Sequence, residues 1–150
     1  MMRLGMLALV VALGCKAQPP VTSRDWYPVQ FRRTMCFGPC AAFTATFAAD
    51  GSATLRLVHP GQTPLKALEA GAYMGTFELP DEEWWAFVER DLAYFSLDSV
   101  YDNPMVMDLP ATETTLAGHR VYNRMGGPNL NPLYERLDSL VYSVTWAPAN

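Results

Sequence analysis

The stretch AAFTATFAADGSATLRLVH, residues 41 to 59, sets the tightest limit on the fold. Two runs of alternating apolar and polar side chains flank Asp50-Gly51. A period of two puts Phe43, Ala45 and Phe47 on one face of a strand, and Leu55 and Leu57 on the matching face of its partner. Asp-Gly accepts the positive φ angles of a two-residue hairpin turn. An antiparallel hairpin with one buried face is therefore expected here.

The flanking segments extend that pattern. VQFRRTM, residues 29 to 35, alternates and predicts a first strand, and GAYMGTFEL predicts another beyond a loop that runs from Pro60 to Glu69 and holds Gly61 and Pro64. LPDEEWWAFVERDLAYF changes period. Pro80 and Asp81 supply a helix start, Glu82 and Glu83 put negative charge in the first turn, and Trp84, Phe87, Val88, Leu92 and Phe95 repeat at three and four. Adjacent Trp84 and Trp85 cannot share one stripe equally, so one of them is expected at its edge. The segment from Ser96 to Pro110 is turn-rich, with a strand expected to begin at Met105 to Met107.

TETTLAGHRVYNRM predicts a second hairpin around Ala117-Gly118. GGPNLNP, residues 126 to 132, breaks the chain, and Leu133, Leu137, Leu140, Val141 and Val144 then fall at helical spacing. Hairpins stand where a parallel sheet would need helical crossovers. The expectation is an α+β fold: an antiparallel sheet of about five to six strands with two helices packed on one face. A chain of 150 residues, 50% of them apolar, suffices for one core and not for two.

The first residues, MMRLGMLALVVALGC, carry Arg3, an apolar run from Leu4 to Leu13, then Gly14 and Cys15. This is export-signal architecture and is set aside from the fold. The run is about half of the roughly 20 residues that cross a bilayer. ALGC resembles the lipobox of bacterial lipoproteins, although Ala12 and Leu13 stand in the reverse of its usual order. That resemblance implies acylation of Cys15 with residues 1–14 removed; the residues that follow read as a Pro-bearing tether at 15–28, the domain at 29–146 and a tail at 147–150. Lys16 occupies the place where Asp would imply retention in the inner membrane, so the outer membrane is expected. Cleavage after Ala17 would instead remove Cys15 and leave a secreted or periplasmic protein.

There are 15 acidic against 11 basic residues and no basic run longer than Arg32-Arg33, which leaves no electrostatic footprint for nucleic acid. The chemistry worth weighing lies in TMCFGPCAAF, where Cys36 and Cys40 are three residues apart. A thioredoxin-type motif has two residues between its cysteines and opens a helix, whereas a strand is expected here. Zinc needs about four ligands, and His59 and His119 lie far apart in sequence, each beside an expected hairpin strand. A structural disulfide suits an exported chain, with Gly38 and Pro39 making the turn. So short a loop contributes only about 2 kcal/mol, enough to fix a turn rather than to hold the fold.

CFGPCAAF, then ADGSATL, a helix, DLP at 108 to 110, LAGHRVYNR and a last helix ending near Trp146 resemble a family of uncharacterised bacterial domains. Its signature is Cys-Phe-Gly-x-Cys-Pro-x-Tyr, often behind lipoprotein signals. Cys36, Phe37, Gly38 and Cys40 match, while Ala41 replaces its Pro and Phe43 its Tyr. The resemblance implies the architecture and no activity.

Asp98, Asp102 and Asp108 gather in LDSVYDNPMVMD but fit no calcium loop. Neither a G-x-S-x-G elbow nor an S-x-x-K motif occurs. No catalytic residue, cofactor or metal site is assigned. The expected function is a binding or structural accessory of the envelope, with an unknown protein or ligand as partner. The alternative is a thiol-redox or metal-dependent enzyme using Cys36 and Cys40. A pocket gathering His59 or His119 with carboxylates would favour the enzyme, and an exposed apolar sheet face would favour binding.

Overall fold

A computed structural model describes residues 23–106 and 108–150. The signal segment, Cys15 and most of the tether lie outside the described residues, as does Met107. The strands are β1 (Val29–Arg33), β2 (Ala42–Phe47), β3 (Ser52–His59), β4 (Gly71–Thr76), β5 (Val100–Tyr101), β6 (Thr112–Leu116), β7 (His119–Asn123) and β8 (Ala147–Pro148). The helices are α1 (Glu82–Ala86) and α2 (Asn131–Ser143). All eight strands join one sheet in the order β5-β7-β6-β1-β2-β3-β4-β8. Every neighbouring pair is antiparallel except β5 and β7.

The sheet is thus larger than the five to six strands expected, and mixed rather than purely antiparallel. The additions are the two-residue strands β5 and β8, which are too short to show a period. No strand starts at Met105: residues around it form a turn in which the Val106 amide donates to the Asn103 carbonyl at 2.9 Å. The expected tail, from Ala147, instead lies along β4, where the Ala149 amide donates to the Ala72 carbonyl at 2.9 Å.

Both hairpins form, by different turns. Between β2 and β3 the Gly51 amide donates to Ala48 at 3.1 Å and the Ala48 amide to Ser52 at 2.9 Å, with Gly51 at φ 84°. That is a three-residue loop with a left-handed glycine rather than the two-residue turn expected. Between β6 and β7 Ala117 and Gly118 both take positive φ, 48° and 79°, as a primed two-residue turn requires.

The helix expected from Pro80 to Phe95 stops early. Asp81 caps it by accepting from the Trp84 amide at 2.9 Å. After Ala86 the backbone widens into a π turn over Phe87–Asp91, and Ala93 enters the left-handed region at φ 45°. Tyr94 explains the break. It is fully buried, and its hydroxyl donates to the Thr114 carbonyl at 3.0 Å in β6 and meets the Thr114 hydroxyl at 2.7 Å. Burial and those bonds outweigh the last turn of helix that Leu92 to Phe95 would have made.

Cross-strand register puts Phe31, Ala45, Leu55 and Tyr73 in one row, with Val29, Phe43, Phe47, Leu57, Leu116 and Val121 on the same face. Those side chains share one core with Trp85 and Val88 of the first helical segment and with Leu133, Leu137 and Val141 of α2. Trp84 is half-buried at the margin of that core while Trp85 is inside it. The opposite face carries Gln30, Arg32, Thr54 and Arg56 in solvent. Trp26, expected in the tether, is buried and stacks on Trp85 with ring centroids 5.3 Å apart, so the folded domain begins before Val29.

Candidate functional site

The inward row of β1 runs Val29, Phe31, Arg33 and so drives a cation into the protein at the strand's end. The Arg33 guanidinium lies 5.1 Å from the Phe31 ring centroid and 5.4 Å from that of Tyr134, which offsets part of its lost hydration. It donates to the Thr112 hydroxyl at 3.1 Å and to the Oδ2 of Asp138 on α2. Asp138 follows Leu137 and precedes Val141 on the buried side of α2, so helical periodicity delivers the anion to the same depth as the cation.

The pair sits at the floor of a cleft of about 240 Å³. Its walls are Phe43, Ala41 and Pro110, and Thr34, Thr63, Tyr142 and Cys40 complete it. Arg33 and Asp138 keep 29% and 20% of their side-chain surface exposed, so both are reachable from the cleft. Asp138 Oδ1 is shielded from solvent and has no hydrogen-bond partner among the described residues. Burial pushes the Asp138 carboxyl above its ordinary range, against the pull of Arg33. Burial also raises the Tyr142 hydroxyl, which stands beside Thr63.

Cys36 and Cys40 are joined in a disulfide with Cα atoms 5.8 Å apart, and their loop forms one lip of this cleft. The loop is locked in place by Gly61, at φ 60°, where a Cβ would strike the Pro39 carbonyl and the Ala41 amide. His59 Nδ1 stands 3.1 Å from both the Cys40 carbonyl oxygen and the Gly61 amide nitrogen, so either tautomer finds a partner in the same lock. Phe37, at the tip, is 91% exposed.

The other residues singled out in the sequence do not converge. His119 lies across the sheet from His59, with Nε2 3.1 Å from the Leu97 carbonyl and its ring edge-on to Tyr94 and Phe95. Asp102 forms a two-pronged pair with Arg124 at 2.6 and 2.9 Å, while Asp98 and Asp108 are exposed. The 126–132 segment is held as a connection into α2, with the Asn123 side chain donating to Pro128 at 3.2 Å. Among the described residues no three His, Cys, Asp or Glu side chains come close enough to hold a metal. Among the described residues the cleft gathers no histidine, and the open sheet face mixes exposed Val58 and Met74 with polar Gln30, Arg32, Thr54 and Arg56, so neither arrangement named for deciding between enzyme and binding protein is met in full.

Arg33 and Asp138 escaped the reading by motif. A signal for Arg33 was present in the alternation of VQFRR, which assigns it to the face of Val29 and Phe31. Comparison with protein-family models, curated proteins and solved structures yields no match. Among the described residues no helix is long and apolar enough to cross a membrane.

Proposed function

We propose that this chain is an exported, lipid-anchored domain of the bacterial cell envelope, held at Cys15 and acting as a binding module through the cleft between β1, α2 and the disulfide loop. One observation carries the binding reading: a partly exposed ion pair, Arg33 with Asp138, lines a cleft large enough for a small molecule or chain segment. Structural ion pairs in protein cores are closed off and have their remaining valences filled. This pair opens into a cleft.

The chain's course suits that role. The chain enters β1 at Val29, while the cleft lies at the Arg33 end of that strand, about 13 Å further along at the usual rise per residue. The signal architecture, ALGC and Lys16 support an outer-membrane lipoprotein. The partner is a protein or ligand of the envelope.

A thiol-redox activity is the second reading, and the position of Cys40 on the cleft favours it. Against it, Cys40 leads into strand β2 rather than a helix N-terminus, so no helix dipole stabilises a thiolate there. Intact mass of the natively exported protein tests the proposal, with alkylation in denaturant before and after reduction. A lipid mass on a chain starting at Cys15, with thiols labelled only after reduction, is expected. Cleavage after Ala17 without lipid would refute the anchor, and free Cys36 and Cys40 would favour redox chemistry.

A further inference from the structure

Resting on the anchored reading above, we infer that the open face of the sheet, centred on Arg32 and Arg56, is the surface that lies on the anionic phosphate layer of the membrane. The register places the charges. Arg32 of β1 and Arg56 of β3 stand opposite Thr44 of β2, one on each side, so the two side chains leave the sheet in one row with their Cα atoms about 10 Å apart, two strand spacings. Both are exposed, and among the described residues neither has an ion-pair partner. Glu113 is the only carboxylate in strands β1 to β4, β6 and β7, and it is bound to Arg120 on the same face. The face therefore keeps two uncompensated positive charges in a chain whose net charge is −4.

The negative charge lies on the other side. Asp81, Glu82, Glu83, Glu89 and Asp91 are all exposed, and within the same segment only Arg90 stands against them. Trp85 and Val88 of that segment pack into the core on the inward face of the sheet, so these carboxylates belong to the helical side of the molecule. Charge is thus polarised across the sheet: an anionic surface attracts the open face and repels the helical one.

Polarity and shape select a lipid surface among anionic partners. Val58 and Met74, 53% and 56% exposed, share the open face with Arg56 and would enter the headgroup layer beside the phosphates. Opposite Arg56 the small side chain of Ala72 leaves a hollow of about 390 Å³, bounded also by Val58 and Gly71, that admits a headgroup next to the guanidinium.

Reach permits the contact. Cys15 precedes Ser23, where the described structure begins, by eight positions, and an extended chain of that length spans at most about 28 Å. The domain is therefore held close to the leaflet, where two arginines suffice to orient it, favouring sheet-down by about thirtyfold over an uncharged face. That orientation leaves the cleft uncovered, since its Asp138 and Tyr142 come from α2 on the other side of the sheet.

The test places the natively exported, ¹⁵N-labelled protein in lipid nanodiscs that carry a trace of lipid with a gadolinium chelate on its headgroup. One set is phosphatidylcholine, and the other is phosphatidylcholine mixed with phosphatidylglycerol. In the mixed nanodiscs, broadening is expected to concentrate at the amides of Arg32, Thr44, Arg56 and Met74 and to spare α2. Arg32→Gln with Arg56→Gln, or molar salt, should remove that contrast, and Arg32→Lys with Arg56→Lys should keep it. The resolved spectrum of each variant checks that it folds. Broadening centred on α2, or a pattern that the glutamine variant leaves unchanged, would overturn the docking face while the anchor stands. Binding to the mixed nanodiscs alone would overturn the anchor and leave the face. Binding to neither would overturn both. Soluble polyglutamate that shifts the same amides and abolishes the broadening would replace the membrane by an acidic protein segment.

Discussion

Replacing Tyr94 by phenylalanine removes a single oxygen from the centre of the protein, and the structure says what that should cost. The hydroxyl is fully buried, donates to the Thr114 carbonyl at 3.0 Å, pairs with the Thr114 hydroxyl at 2.7 Å and lies 3.3 Å from the His119 carbonyl. Two net hydrogen bonds at about 1 kcal/mol each are lost, and the Thr114 hydroxyl, itself 1% exposed, loses its neighbour. Tyr94→Phe should therefore destabilise by about 2–3 kcal/mol. With a urea slope of about 1.5–2 kcal/mol/M, the midpoint falls by roughly 1.5 M while the slope stays unchanged. Urea unfolding followed by the fluorescence of the four tryptophans reads this directly. Thr114→Val in the Tyr94→Phe background supplies the control. With both hydroxyls gone, no orphan remains, so the double variant should cost at least about 1 kcal/mol less than the sum of the singles. A Tyr94→Phe loss below about 0.5 kcal/mol, or strict additivity, would refute the account of why the first helix ends where it does.

Three further outcomes are expected. Gly61→Ala forces a side chain into the left-handed region and against the backbone of Ala41 at 2.6 Å, so thermal unfolding should show a loss above about 2 kcal/mol. Replacing Cys36 and Cys40 together by serine should cost only about 2 kcal/mol in the same melt; loss of folding altogether would refute a merely local clamp. Asp138 is held above its ordinary pKa of 3.8. The folded state then binds more protons than the unfolded one between those two values, so this group's contribution to stability falls as pH rises through its folded pKa. Subtracting the pH profile of Asp138→Asn from that of the wild type isolates it; a difference that grows with pH in that window would contradict the assignment.

Much of this architecture is legible before any coordinates, and the boundary has physical causes. The strands β1 to β4, β6 and β7 announce themselves because each has one buried face and five or more residues over which period two can repeat. α2 does so because Leu133, Leu137 and Val141 must all reach one core. The early end of α1 is invisible locally: it depends on a hydroxyl in β6, twenty residues on, that only the fold brings to Tyr94. β5 and β8 are defined by their neighbours and not by their own side chains. At the site, the inward cation of β1 was readable from Val29 and Phe31. Its partner was not, because Arg33 and Asp138 are 105 residues apart and a helical wheel cannot say which charge will meet which.

The place of β1 in the sheet has a consequence in time. The first strand in the chain is an interior strand, with β2 on one side and β6 on the other. As the chain emerges, β1 to β4 can close as a meander through nearest neighbours, yet one edge of β1 stays bare until residues up to Leu116 have followed. The far edge, on β4, waits longer still, for Ala147 and Pro148. Both flanks of the nascent sheet are thus sealed by the latest-arriving third of the polypeptide, and a chain stalled before Thr112 would present two open edges to whatever lies beside it.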